Sequence, residues 1–159
     1  NEVKKVFDKK IVLSGCLSTG NDIASALQMG ADMAYMGTRF INVEESMADE
    51  AYQKMIMDSG AEDIVYTAAV SGVNANFLRP SLEAMGITEA HWKETKKIDF
   101  GTESDAISEE AKAWKTIWSA GQGVSTINDT LSISSLIGKL KSEFLNAIQL
   151  QQELLKHYQ

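Results

Sequence analysis

The residues best suited to chemistry lie in two short stretches, each following an apolar run. Ser14-Gly15-Cys16-Leu17-Ser18-Thr19-Gly20-Asn21-Asp22 follows Ile11-Val12-Leu13, and Gly37-Thr38-Arg39-Phe40 follows Met33-Ala34-Tyr35-Met36. Gly15 allows a backbone to approach an anion with no Cβ in the way. The N–H groups of Cys16 and Leu17 and the hydroxyls of Ser18 and Thr19 are candidate donors. Gly37 and Thr38 offer the same on the second loop, with the Thr38 hydroxyl as a further contact. A single loop of this composition reads as a turn. Two of them, one strand-and-helix apart, read as a phosphate cradle, and so as the seat of a phosphate-bearing cofactor.

The elements that must position these loops form one βαβ unit. Ile11 to Leu13 and Met33 to Met36 read as strands, too apolar for an exposed edge and expected to be buried on both faces. Between them, Asn21 or Asp22 caps a helix whose buried face is Ile23, Ala24, Leu27 and Ala31, and Gly30 closes it. Such a unit sets the loops after its two strands side by side at the carboxyl end of a parallel sheet. The segment before it, Asn1 to Lys10, is polar, with Val3, Val6 and Phe7 as contacts of a helix's last turns.

Beyond the unit, Ala48, Ala51, Tyr52, Met55 and Ile56 mark a helix from about Ser46 to Ser59, stopped by Gly60. Ile64 to Val70 has strand composition, as an edge strand or a crossing segment, broken by Ser71-Gly72. Pro80 suits the first turn of a helix in which Leu82 and Met85 pack, ending near Gly86. Ile87 to Asp105 is a polar, aperiodic excursion. Ser108 caps a helix through Ala111 and Trp114 towards Trp118, which Gly121-Gln122-Gly123 interrupts. Ser132 caps a last long helix, with Ile133, Leu136, Ile137, Leu140, Phe144, Ala147, Ile148 and Gln151 along one stripe.

The composition of the 159 residues, 44% hydrophobic and 23% charged, is that of a globular chain able to form one core. The net charge of −7 and the lack of a basic cluster argue against nucleic acid. No apolar run is long enough to span a membrane, and the start lacks the order of a signal peptide. A single cysteine, Cys16, rules out an internal disulfide and fits a reducing, cytoplasmic setting. Its place near a helix amino terminus would suit a nucleophile, but no base accompanies it, and a small loop residue is the simpler account. His91 and His157 have neither metal-ligand nor acid–base spacing, so no metal site and no catalytic residue is assigned. Arg39 and Arg79 read as structural, Arg39 pairing with Glu44 or Glu45. Trp114 and Trp118, four apart on one helical face, read as core or interface.

The stretches Ser14 to Ile23, Ala26-Leu27-Gln28-Met29-Gly30-Ala31-Asp32 and Tyr35 to Phe40 resemble the last two βα units of the nitronate monooxygenase (2-nitropropane dioxygenase) family. Ser71 to Arg79 and Trp118-Ser119-Ala120-Gly121-Gln122-Gly123-Val124 extend the match to nearly the whole chain. The family usually has Gly-Gly at Gly15-Cys16 and Gln-Met-Gly-Thr at Tyr35 to Thr38. The resemblance implies an α/β fold, the carboxyl-terminal part of a (β/α)8 TIM barrel that binds FMN. Residues 1–60 would hold the last two βα units, and 61–159 a mostly helical extension whose loop 119–125 returns to the cofactor. It implies cofactor contacts at Gly15, Cys16, Leu17, Tyr35, Met36, Gly37 and Thr38, and further ones at Gly121, Gln122 and Gly123. TIM barrels typically hold phosphate at the loops after strands seven and eight, and need about 250 residues to close. Six further strands are therefore expected from another chain or from sequence outside these residues; a small complete α/β domain with a third strand at Ile64 to Val70 is the alternative.

The activity implied is oxidation of alkyl nitronates by FMN and dioxygen to a carbonyl compound and nitrite. The family's catalytic histidine lies upstream of the first strand here, in a motif that this chain lacks. An FMN-dependent NAD(P)H reductase of the related barrel group, acting on an enoyl thioester or quinone, would share the same phosphate site. A non-catalytic fragment or subunit that needs a partner chain is the reading from another class.

Overall fold

A computed structural model describes residues 2–70, 72–92 and 116–158. Along the chain its elements are α1 (Glu2–Val6), β1 (Val12–Ser14), α2 (Gly20–Gln28), β2 (Met33–Tyr35), α3 (Glu50–Asp58), β3 (Ile64–Thr67), β4 (Ala75–Leu78), α4 (Arg79–Ala84) and α5 (Ile133–Leu155). Short 3-10 turns stand at Thr38–Phe40, Ala61–Asp63, Glu89–His91 and Gln122–Thr126. Packing groups the chain into two units, one of residues up to 48 with those from 126 onward, the other of residues 49–125.

In the first unit β1 and β2 pair in parallel, with Val12 opposite Met33, Leu13 opposite Ala34 and Ser14 opposite Tyr35. The connecting helix α2 starts earlier than its sequence suggests. Its N-cap is Thr19, not Asn21 or Asp22: the Asp22 N–H donates to the Thr19 hydroxyl at 3.2 Å, and the Asp22 carboxylate accepts from the Thr19 N–H at 2.8 Å. This reciprocal box satisfies two of the helix's orphan donors. At the other end Gly30 takes a left-handed φ of 98°, the turn that closes the helix as expected. Ala24 and Ala26 are buried, whereas Leu27 is exposed.

The long helix α5 lies beside α2 and runs in the same direction. Near the start of α2 the Gly20 N–H donates to the Glu143 carboxylate at 2.7 Å, and further along the Gln28 amide donates to the Gln151 side chain. A Cβ on Gly20 would overlap the Leu140 carbonyl oxygen and the Phe144 amide nitrogen. Glycine is therefore what lets the two helix backbones come this close. Ser132 caps α5, its hydroxyl accepting from the Ser135 N–H at 3.2 Å, as its sequence indicates. The Glu45 carboxylate accepts from the Ile133 N–H at 2.9 Å. Leu136 and Leu140 form a core with Val43, against which Ile23, Met36, Phe40 and Leu131 pack. The strands themselves are not covered on both faces: Val12 is 52% exposed, Met33 51% and Tyr35 63%. Val3, Val6 and Phe7 are exposed as well.

In the second unit α3 begins at Glu50 instead of Ser46, because Asp49 caps it, accepting from the Ala51 N–H at 2.8 Å. β3 pairs antiparallel with β4, Val65 opposite Phe77 and Thr67 opposite Ala75. The strand expected to reach Val70 ends at Thr67, whose hydroxyl accepts the Ala69 N–H at 3.0 Å. β4 was not foreseen. Pro80 stands in the first turn of α4, Leu82 is fully buried, and Met85 is exposed instead of packed. Val65, Val70, Phe77, Leu82 and Ile117 form this unit's core. Arg79 is structural, donating to the Glu62 carbonyl with its guanidinium 5.9 Å from the Trp92 ring centroid. The Trp118 ring stacks on Tyr52 at 5.1 Å, and the Tyr52 hydroxyl donates to the Ser119 carbonyl. The helix expected from Ser108 through Trp114 and most of the excursion from Ile87 to Asp105 lie outside the described residues.

Candidate functional site

The parallel register sets Ser14 beside Tyr35. The loops that follow, Gly15 to Thr19 and Met36 to Thr38, therefore leave the same edge of the pair together, which brings together Gly15, Cys16, Leu17, Tyr35, Met36, Gly37 and Thr38. Gly15 has φ 95° and Cys16 has φ 56°, two left-handed residues in succession. Cys16 is the one non-glycine with positive φ among the described residues, and that conformation costs an L-residue roughly 1–2 kcal/mol. The backbone here is thus one that two glycines would adopt without strain.

A Cβ built on Gly15 or on Gly37 would meet nothing within 4 Å. Open space above both glycines leaves room for a phosphate held by backbone N–H groups. Gly15, Cys16 and Gly37 are exposed, and Leu17 and Thr38 are half-buried. The Met36 side chain packs into the core of its unit. Gly37 caps the 3-10 turn Thr38–Phe40, its carbonyl accepting from the Phe40 N–H at 3.0 Å.

Ser18 and Thr19, whose hydroxyls the sequence offers as donors, stand where a side-chain carboxylate already takes their backbone N–H groups. The Asp22 carboxylate accepts from the Ser18 and Thr19 N–H groups at 2.9 and 2.8 Å, and Glu143 accepts from Gly20. Two carboxylates at a helix start occupy its donors and repel an anion. The Thr19 hydroxyl is engaged by the Asp22 N–H, and Ser18 is buried. Glu143 escaped sequence reading because its partner lies more than a hundred residues away.

Arg39 is buried at 2% exposure, and its acidic partner is Asp129, not Glu44 or Glu45. Its guanidinium donates to Asp129 Oδ1 at 2.5 Å, to the Asp129 carbonyl at 3.1 Å and to the Asn42 carbonyl at 3.3 Å. Lys139 donates to Asp129 Oδ2 at 2.7 Å. Burial pushes the Asp129 carboxyl up, but the hydrogen bond from Lys139 and the charges of Arg39 and Lys139 outweigh it and leave it below the ordinary carboxylate value.

Gly121, Gln122 and Gly123 lie in the second unit, at the start of the turn Gln122–Thr126. The Val124 N–H donates to the Gly121 carbonyl at 3.1 Å and Val124 is fully buried, while Gln122 is exposed. Among the described residues no cluster of His, Cys, Asp or Glu could hold a metal, and no helix is long and apolar enough to cross a membrane.

A parallel β–α–β unit with helices packed against it places the chain in the α/β class. A family model for nitronate monooxygenase matches residues 1–143, and the chain belongs to that family, one of oxidoreductase enzymes. It is 34% identical over 76 residues to the nitronate monooxygenase of Paraburkholderia phytofirmans, covering 48% of this chain and 21% of that protein. The structure is similar to nitroalkane oxidase from Streptomyces ansochromogenes, with TM-score 0.71 and 26% identity over 94% of this chain and 43% of that one. FabK from Thermotoga maritima shares the fold, with TM-score 0.72 and 21% identity over 96% of this chain and 50% of that one. The chain thus spans half or less of the solved relatives, and its match to the curated one spans about a fifth of that protein.

Proposed function

We propose that this chain supplies the FMN-phosphate site of a flavin oxidoreductase that oxidises alkyl nitronates with dioxygen to a carbonyl compound and nitrite. The observation that carries the proposal is the pair of adjacent loops with open space above Gly15 and Gly37, in a chain of the nitronate monooxygenase family. The backbone from Gly15 to Leu17 and from Tyr35 to Thr38 holds the phosphate end. FMN, when bound, supplies the electron chemistry, and these residues hold and orient it.

The βαβ unit serves as the last two βα units of a (β/α)8 barrel. The remaining strands, and the base that removes the substrate proton, come from another chain or from sequence outside these residues. The exposed faces of β1 and β2 support this, since parallel strands are normally covered on both sides.

The test is a visible spectrum and intact mass of the purified protein, followed by oxygen uptake with an alkyl nitronate and NAD(P)H oxidation with a quinone. An oxidised-flavin spectrum, FMN released on denaturation and nitronate-dependent oxygen uptake are expected. NAD(P)H oxidation without nitronate turnover would replace the monooxygenase by a reductase. A colourless protein that takes up no added FMN would overturn the phosphate assignment and leave a non-catalytic subunit.

A further inference from the structure

Arg39 follows directly on Gly37-Thr38, yet it is buried and all its hydrogen bonds run inward, to Asn42 and Asp129. A guanidinium in that position does not reach out to an anion above the loop. Burying it is costly unless it is fully paired, and hydrophobic residues of similar size often serve stability as well. What the buried pair supplies is a fixed geometry. Arg39 ties the turn that carries Gly37 and Thr38 to the segment before α5, and Lys139 of α5 holds the far oxygen of Asp129. The Ile41 N–H donates to the Thr38 carbonyl at 3.0 Å, so Arg39 lies within a hydrogen-bonded turn.

We propose that Arg39, held by Asp129, is a positioning residue that sets the Gly37 and Thr38 backbone for a phosphate without touching it. The proposal rests on the phosphate assignment above. FMN and riboflavin differ only in the phosphate, so their ratio of affinities isolates the loop. The experiment titrates each flavin into the purified protein, stripped of bound flavin, and into Arg39→Lys and Asp129→Asn, with circular dichroism on the same samples. Lysine keeps the charge but loses the fork, and asparagine keeps the shape but loses the charge.

Wild type is expected to prefer FMN, and each variant to lose roughly tenfold or more of FMN affinity while riboflavin binding changes by less than about threefold. Folded variants that keep the wild-type ratio would overturn the proposal. So would a parallel loss of both flavins, including loss through unfolding, which would make the pair a plain stability element. If wild type itself binds the two flavins equally, the phosphate assignment fails instead.

Discussion

The two strand pairs of this chain have opposite surroundings. β3 and β4 are antiparallel neighbours in sequence, and they bury Val65, Phe77 and Leu78 while Tyr66 faces outward. β1 and β2 are parallel, joined through α2, and leave Val12, Met33 and Tyr35 exposed. An antiparallel pair tolerates water on one face, whereas parallel strands occur almost only under cover on both. The hairpin closes a core with its own α4; the parallel pair leaves Val12, Met33 and Tyr35 largely in water. The pair that presents the candidate site is thus the one left more open to water.

The strongest way to break this contrast is to compare truncations on the two pairs. Phe77→Ala is expected to cost about 3–5 kcal/mol in denaturant unfolding, since Phe77 is fully enclosed by its own unit. Val12→Thr is expected to stay within about 0.5 kcal/mol in the 159-residue chain, because its side chain is half in water. In a protein whose further strands cover β1, the same hydroxyl should cost about 1–3 kcal/mol. Equal costs for both substitutions in the short chain would remove the contrast.

Next in size is Gly20→Ala. Its Cβ would press on the Leu140 carbonyl and the Phe144 amide, which are backbone and cannot swing aside. A loss of about 1–3 kcal/mol is expected. Gly37→Ala, with nothing within 4 Å, should leave stability nearly unchanged. Melting curves of the two variants separate a glycine that helix contact requires from one that packing does not require.

A smaller effect follows from acid. The Asp129 carboxyl sits below its ordinary value in the folded chain, so its contribution to stability is present above the unfolded pKa of about 3.9. It is lost as pH falls through the lower folded value. The melting temperature of wild type should therefore exceed that of Asp129→Asn at neutral pH, and the gap should narrow progressively below about pH 4. A gap independent of pH would mean that charge is not what holds Arg39.

The βαβ unit was legible because each of its signals is local: two apolar runs, one helical stripe and a closing glycine at Gly30. The cap, Thr19, stands two or three residues before Asn21 and Asp22, because Thr19 and Asp22 act as a reciprocal pair and either residue alone looks like a cap. β4 was missed since Ala75-Asn76-Phe77-Leu78 is short and runs straight into the Pro80 turn. The partners of Arg39 and Gly20 were hidden for another reason. Asp129 and Glu143 stand ninety or more residues away, and spacing along a chain does not carry such contacts. The loops of the candidate site were legible in composition, but the open space above Gly15 and Gly37 is a property of the packed chain.

The smallest expected effect is at Cys16, the one non-glycine with positive φ among the described residues. Cys16 holds φ 56°, a conformation that glycine adopts without strain, in a loop emerging from the exposed pair. Cys16→Gly removes the strain of the folded state but also gives the unfolded chain more freedom, and the two effects oppose each other. The strain of roughly 1–2 kcal/mol is the larger, so a net gain of about 0.5–1 kcal/mol in unfolding free energy is expected. The same change removes a Cβ from the approach to the loop, so FMN affinity should rise or stay level. Stability gained together with weaker FMN binding would mean that the cysteine side chain itself contacts the ligand, and the cradle would then be more than backbone.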